Sequence, residues 1–345
     1  MKDMKIHYIL LICALLAVSC QQDEGIGGGC LYPVSFNLPG IEVVTRASET
    51  ENLSGDATLT IAAYYPQTQT LAAQGSYKVS GASLVPADAG KPMYLAAGTY
   101  DFCAVSPSQT LDNAGKSATV SRGTDVLGSV TRAQMQPKET AIALDDLSHL
   151  ASQIKFTLRL VYTNTTVRTF KVKTIVISDM VKALPGNLLL PENRLAVPGA
   201  EVADRYEPLT IDNSSGSLFD YSVTAPTGKT GSHYNTQKEP LLIFPRAAEP
   251  FTITVTVDFQ DENDASPSPK TYSATIPNIT FEPGKQYQLM VNYGWDYMNF
   301  TVSVSNWDGK NNAQGDTGSG EQEIISSVTV DEWGKPIDLG GNLGG

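Results

Sequence analysis

Period-two alternation of apolar and polar residues, cut at short intervals by Gly and Pro, runs through most of the chain and leaves it little to fold into besides β-sheet. The run "LYPVSFNL" places Tyr32, Val34, Phe36 and Leu38 on one face and Pro33, Ser35 and Asn37 on the other, the pattern of a half-buried strand. "ATLTIAAYY", "GSYKVSG", "KPMYLAAGTYDFCAVS" and "SATVSRGTDVLGSV" follow, punctuated by Pro66, Gly75, Gly81, Pro86, Gly90 and Gly98. Around "IALDDLSHLASQIKFTLRLVY" the pattern shifts. Leu147, Leu150 and Ile154 take a brief helical spacing, and then Ile154, Phe156, Leu158 and Leu160 alternate as a strand. A domain boundary is expected near residue 145. Beyond it come "VRTFKVKTIVISD", "EPLTIDN", "DYSVTAP", "EPLLIFPR", "FTITVTVDFQ", "TYSATIP" and the hairpin-like "GKQYQLMVNYGWDYMNFTVSVSNW", broken at Asn292 to Asp296. After the N-terminal segment no helical pattern of about twelve residues or more is present. The expectation is an all-β protein, and 345 residues suffice for two domains of ordinary size.

The two ends of the chain are organised differently. "MKDMKIHYILLICALLAVSC" has a positive start at Lys2 and Lys5, an apolar stretch from Tyr8 to Val18, and small residues leading to Cys20. That apolar stretch is too short to span a bilayer, which takes about 20 residues. Its end, "AVSC", resembles the lipobox of bacterial lipoproteins, which implies residues 1–19 as a signal peptide and Cys20 as a lipidated first residue. The following "QQDEG" resembles the surface-export signal of Bacteroidota lipoproteins. At the other end, "DGKNNAQGDTGSGEQE" is too polar and Gly-rich to bury an apolar face and reads as a tether. The segment Ile324 to Trp333 beyond it regains strand character.

Chemistry-bearing residues are sparse. Lys and Arg number 24 against 36 Asp and Glu, with no basic cluster beyond the first residues; this argues against nucleic acid as a partner. His149 in "LSHLA" reads as a packing histidine and His233 in "KTGSHYNTQKEP" as a loop residue. No GxSxG, HExxH or phosphate-loop motif occurs, so no catalytic residue, metal ligand or cofactor is assigned. The acidic loop Asp258–Asp264 offers oxygens to Ca²⁺ but departs from the EF-hand spacing, and a solvated hairpin tip is the favoured reading. Tyr293, Trp295 and Tyr297 read either as core and edge residues or as a sugar-stacking platform. Cys103 reads as a buried thiol, with a Cys30–Cys103 bridge as the alternative.

In order along the chain stand the lipobox Cys20, an alternating strand, a lone arginine in "VVTRAS", two β regions joined by "LSHLASQIKFTL", a late "FEPGKQYQLMVNY" and a strand-like extension. This arrangement resembles the fimbrillin family, the Mfa-like and major-fimbrillin pilins of Bacteroidales type V pili. The resemblance implies two transthyretin-like β-sandwich domains in tandem, at 47–145 and 146–307. It also implies a pro-segment 20–46 and a C-terminal tether and donor strand in 308–345. By the same resemblance the precursor is held at the outer membrane by its lipid. An arginine-specific, trypsin-like protease cuts between Arg46 and Ala47, removing Tyr32, Val34, Phe36 and Leu38 as a sacrificial strand. A neighbouring pilin subunit then donates Ile324, Ser326, Val328 and Val330, and the product is a cell-surface fimbrium with a role in adhesion. The alternative is an uncleaved surface lipoprotein, serving as pilus anchor or as a glycan- or host-ligand-binding module.

Elementary energetics are compatible with such an exchange. Burying the four alternating side chains contributes roughly 6–12 kcal/mol as an upper estimate, and withdrawing them exposes unpaired strand edges. Residues 308–323, at about 3.3 Å each, reach roughly 50 Å. Donor and groove on different surfaces give a head-to-tail contact that grows a filament.

Overall fold

The computed structural model describes residues 30–43, 49–53, 55–81, 83–163, 167–178, 186–196, 208–227, 230–293, 298–306 and 322–325. Its regular elements are all strands. The first part of the chain forms β1 (Leu31–Asn37), β2 (Gly40–Val43), β3 (Glu49–Asn52), β4 (Thr58–Tyr64), β5 (Leu71–Ser80) and β6 (Ser83–Pro86). It continues with β7 (Met93–Ala96), β8 (Gly98–Ser106), β9 (Ser117–Val120), β10 (Leu127–Met135), β11 (Thr140–Ile142) and β12 (Ser148–His149). Then come β13 (Ser152–Thr163), β14 (Thr169–Ser178), β15 (Gly186–Leu189), β16 (Arg194–Ala196), β17 (Leu209–Asp212), β18 (Phe219–Thr227) and β19 (Thr230–Gln237). The last are β20 (Leu241–Ile243), β21 (Arg246–Gln260), β22 (Ser268–Phe281), β23 (Lys285–Tyr293), β24 (Met298–Asn306) and β25 (Gln322–Ile325). The helical spacing of Leu147, Leu150 and Ile154 does not become a helix. Leu147 and Leu150 flank the short β12, and Ile154 already belongs to β13, because extended neighbours on both sides leave no room for a helical turn.

A nine-stranded sheet in the order β11-β1-β6-β5-β4-β8-β10-β12, with β7 beside β1, builds the first half. Phe36 of β1 meets Phe102 of β8 with ring centroids 5.7 Å apart, although four strand steps separate them along the sheet. At about 4.8 Å per step a flat sheet would hold them some 19 Å apart, so the sheet curls over and encloses a core between its ends. That core holds Val34, Leu59, Ile61, Tyr77, Phe102 and Leu147 among others.

In the second half, a sheet β18-β19-β13-β23-β24-β25 faces another, β17-β14-β21-β22. The alternating runs legible in the sequence supply the inner faces: Ile154, Phe156 and Leu158 from β13, and Phe251, Ile253, Val255, Val257 and Phe259 from β21, are all buried in one cluster. β19 is different, because its inward residues are polar. An extra residue, Lys173, bulges β14 between Val172 and Thr174, and side-chain amides take up the backbone groups this frees. Asn235 accepts from Val172 N–H at 3.0 Å through its Oδ1, and its Nδ2 donates to Phe170 C=O at 2.8 Å. Asn213 donates to Val172 C=O at 2.8 Å, and Gln237 accepts from Phe156 N–H at 3.0 Å. Buried polar side chains persist where they satisfy backbone groups in this way.

The two halves share a third sheet. β9 of the first pairs antiparallel with β15 of the second, Gly186↔Val120 through Leu189↔Ser117, and β16 completes the set. A third apolar cluster lies there, drawn from both halves.

Replacing Asn235 by Ala leaves two buried backbone groups unpartnered, at about 1–3 kcal/mol each. Urea titration is expected to show a correspondingly lower unfolding midpoint, whereas an exposed Asn263→Ala on the β21–β22 turn stays near wild type.

Candidate functional site

The position that separates β1 from every other strand is its place in the covalent chain: it is an interior strand built from the extreme N-terminal end of the described residues. On one side it runs parallel to β11, with Val34↔Thr140, Ser35↔Ala141 and Phe36↔Ile142. On the other it runs antiparallel to β7 (Leu31↔Ala96 through Val34↔Met93) and then β6 (Phe36↔Leu84, Asn37↔Ser83). Its alternation is the one the sequence announces. Val34 and Phe36 are 3% and 2% exposed, and Tyr32 and Leu38 are half-buried against the same cluster.

Phe36 is the centre of this seat. Its ring makes edge contacts with Tyr77 at 5.1 Å and Phe102 at 5.7 Å, an arrangement worth about 0.5–1.5 kcal/mol per pair beyond burial. Tyr77 is itself fixed by accepting from Met93 N–H at 3.1 Å, and burial pushes its phenol pKa up. Lifting β1 out therefore uncovers an apolar slot lined by Tyr77, Leu84, Met93, Leu95, Phe102 and Ile142, walled by the edges of β11 and of β6 and β7.

After β1 the chain enters the β2–β3 ladder, Gly40↔Asn52 to Val43↔Glu49. Gly40 N–H donates to Asp146 at 2.8 Å and Gly40 C=O accepts from Leu147 N–H at 2.9 Å. Arg46 and Ala47 fall between the paired ends Val43 and Glu49, outside the described residues, as does Cys20. Of the four donor residues, Ile324 lies in β25, whose backbone pairs with β24 (Thr301↔Ile324) at the edge of the chain's own second half. Ser326, Val328 and Val330 lie outside the described residues.

The remaining candidates resolve into structural roles. Asp258 lies in the end of β21 and pairs with Lys173 at 3.3 Å, while Asp261 to Asp264 form the tip between β21 and β22, where Asp261 accepts from the N–H groups of Asn263 and Asp264. His149 Nδ1 lies 2.9 Å from Asp125. His233 is not in a loop: it sits in β19, almost fully buried, because the polar run around it hides an inward face. Its Nε2 is 3.0 Å from Val167 C=O and so carries the proton, leaving Nδ1 to accept from the Tyr221 hydroxyl at 2.5 Å. Tyr293 is core, against Tyr272 and Phe170, while Trp295 and Tyr297 lie outside the described residues. Cys103 is a free buried thiol, not bridged to Cys30, and burial pushes its pKa up to about 12.

The family described as Fimbrillin-like matches residues 56–312, about three-quarters of the chain. The chain belongs to this family. Among curated proteins none matches by sequence. A fimbrial protein from Bacteroides vulgatus shares the fold at TM-score 0.53 with 13% identity, covering 79% of this chain and 99% of that one. A candidate cell adhesion protein from Bacteroides ovatus does so at TM-score 0.51 and 15% identity, covering 81% and 98%. Membership of the fimbrillin-like family makes the chain a fimbrial subunit of the cell surface, of a structural and non-enzymatic class.

Two outcomes follow for this fimbrillin-like chain. Phe36→Ala is expected to lower stability by about 3–5 kcal/mol, read by urea unfolding, whereas Ser35→Ala changes little. Burial holds the His233 pKa below its ordinary 6.5, so the folded state keeps the imidazole neutral while the unfolded chain takes up a proton. The stability this neutral imidazole supports is complete above about pH 6.5 and declines as pH falls below it. His233→Gln flattens that decline in a series of unfolding titrations.

Proposed function

We propose that this fimbrillin-like protein is a pilin exported as a lipoprotein on Cys20, cut between Arg46 and Ala47, and polymerised by donor-strand exchange. The observation that carries this reading is the seat of β1. An interior strand that supplies Val34 and Phe36 to a core is joined to the rest of its domain only through β2 and the connection that contains Arg46. Cutting there leaves β1 held by non-covalent contacts alone. Its removal bares an apolar slot and two rows of backbone donors and acceptors, and such edges pair with another strand.

In this scheme the pro-segment is 20–46, the two sandwiches are 47–145 and 146–307, and residues 308–345 are tether and donor. The donor is a neighbouring subunit's C-terminal segment, with Ile324, Ser326, Val328 and Val330 alternating into the slot as Tyr32, Val34, Phe36 and Leu38 did. An arginine-specific, trypsin-like protease performs the cut, and the outer membrane holds the precursor through its lipid until then. A second reading keeps β1 in place and makes the chain an uncleaved, lipid-held pilus anchor. The full seating of β1 and the pairing of β25 with its own β24 favour that state for the uncut chain.

Purified precursor treated with a trypsin-like protease is expected to yield a product beginning at Ala47 and then a ladder of SDS-resistant oligomers. Arg46→Ala abolishes both. Deleting residues 320–345 preserves the cut and abolishes the ladder; polymerisation unchanged by that deletion contradicts the donor assignment.

A further inference from the structure

The strands that β1 covers are covered on their other face as well, and the cover comes from the second half of the chain. Along β4, Leu59, Ile61 and Ala63 turn into the core that holds Phe36, while Ala62 and Tyr64 turn the opposite way into the third cluster. β8 repeats the division: Tyr100, Phe102 and Ala104 face β1's core, and Cys103 and Val105 face outward. Both strands are therefore buried on both sides, although only one side belongs to the first half's own core.

What closes the outer side is the β15–β16 hairpin. Leu188, Leu190 and Leu195 are all buried against β4, β8 and β9. The hairpin is tied down by backbone as well as by apolar contact. β15 forms a four-residue ladder with β9, Leu190 N–H donates to Lys116 C=O at 2.9 Å, and the Cys103 thiol reaches Pro191 C=O at 3.5 Å. A glycine admits this approach: a Cβ on Gly128 of β10 falls 2.2 Å from Asn193 Oδ1 at the tip of the hairpin.

We propose that the β15–β16 hairpin is a brace that preserves the acceptor sheet of the first half while β1 is absent. Phe102 and Cys103 are neighbours in β8, one resting on Phe36 and the next on the tip of the hairpin. Two independent supports thus hold the same strands from opposite faces, and either one suffices to keep β4 and β8 paired. Withdrawal of β1 then empties the slot without unravelling its floor, and the slot stays shaped for an incoming strand. The inference rests on the reading that β1 leaves the chain, but the brace itself is a property of the uncut molecule.

Hydrogen exchange of the β4 and β8 amides in the full chain reports local opening of these strands. Phe36→Ala weakens the inner support without any protease, and Leu188→Ala weakens the brace. The two together are expected to raise exchange in β4 and β8 by more than the product of the two single effects. An increase in the double variant no larger than that of Phe36→Ala alone overturns the proposal. So does a Leu188→Ala chain that cannot hold the sheet with β1 intact, and Leu195→Ala repeats that arm with a lesion on the other strand of the hairpin. Limited cleavage after Arg46 then separates the two claims. Synergy in the uncut double variant together with a segment 20–46 that is never released leaves the brace standing and removes the exchange scheme.

Discussion

The ring of Phe36, wedged between Tyr77 and Phe102, is the contact on which the first half of the molecule depends. It closes a sheet that would otherwise splay, since β1 lies four strand steps from β8 and only a curled sheet brings them together. The same contact gives the core its weak point. A strand this deeply buried is followed in the chain by β2 and the connection that carries Arg46. Burial of β1 contributes to folding the uncut chain, and in the proposed scheme an equivalent strand from another subunit takes its place.

Such an exchange demands that the slot survive being empty. A sheet covered on one face loses its reason to remain ordered when that cover leaves, because the exposed apolar area reverses the contribution that folded it. Here β4 and β8 have a second cover, Leu188, Leu190 and Leu195 from the far half of the chain. The third sheet, β9-β15-β16, joins the two halves. Gly128 of β10 is placed where a larger side chain would push Asn193 of the hairpin away.

Much of this was legible in the sequence, for a plain physical reason. Strands that bury one apolar face must alternate, so β1, β13 and β21 declare themselves and their inward residues by period alone. The fold class and the face of β1 follow from the same rule. Polar strands do not obey it. β19 carries His233, Asn235 and Gln237 inward because a bulge in β14 and neighbouring backbone groups need donors and acceptors, and a run of such residues reads as a loop. The spacing of Leu147, Leu150 and Ile154 misled in the opposite sense, since three apolar residues around a two-residue strand mimic a helical turn. The walls of the slot, β11 on one side and β6 and β7 on the other, are pairings between distant segments, and no local pattern encodes them. The β9–β15 ladder is of the same kind: it joins residues about seventy positions apart.

The central claim is that β1 is a replaceable part of this fimbrillin-like subunit, and the chemical start of the protein on the cell surface tests it most directly. N-terminal sequencing of the protein recovered from assembled surface fibres is predicted to begin at Ala47. A chain in those fibres that begins at Cys20, with β1 still attached, contradicts it.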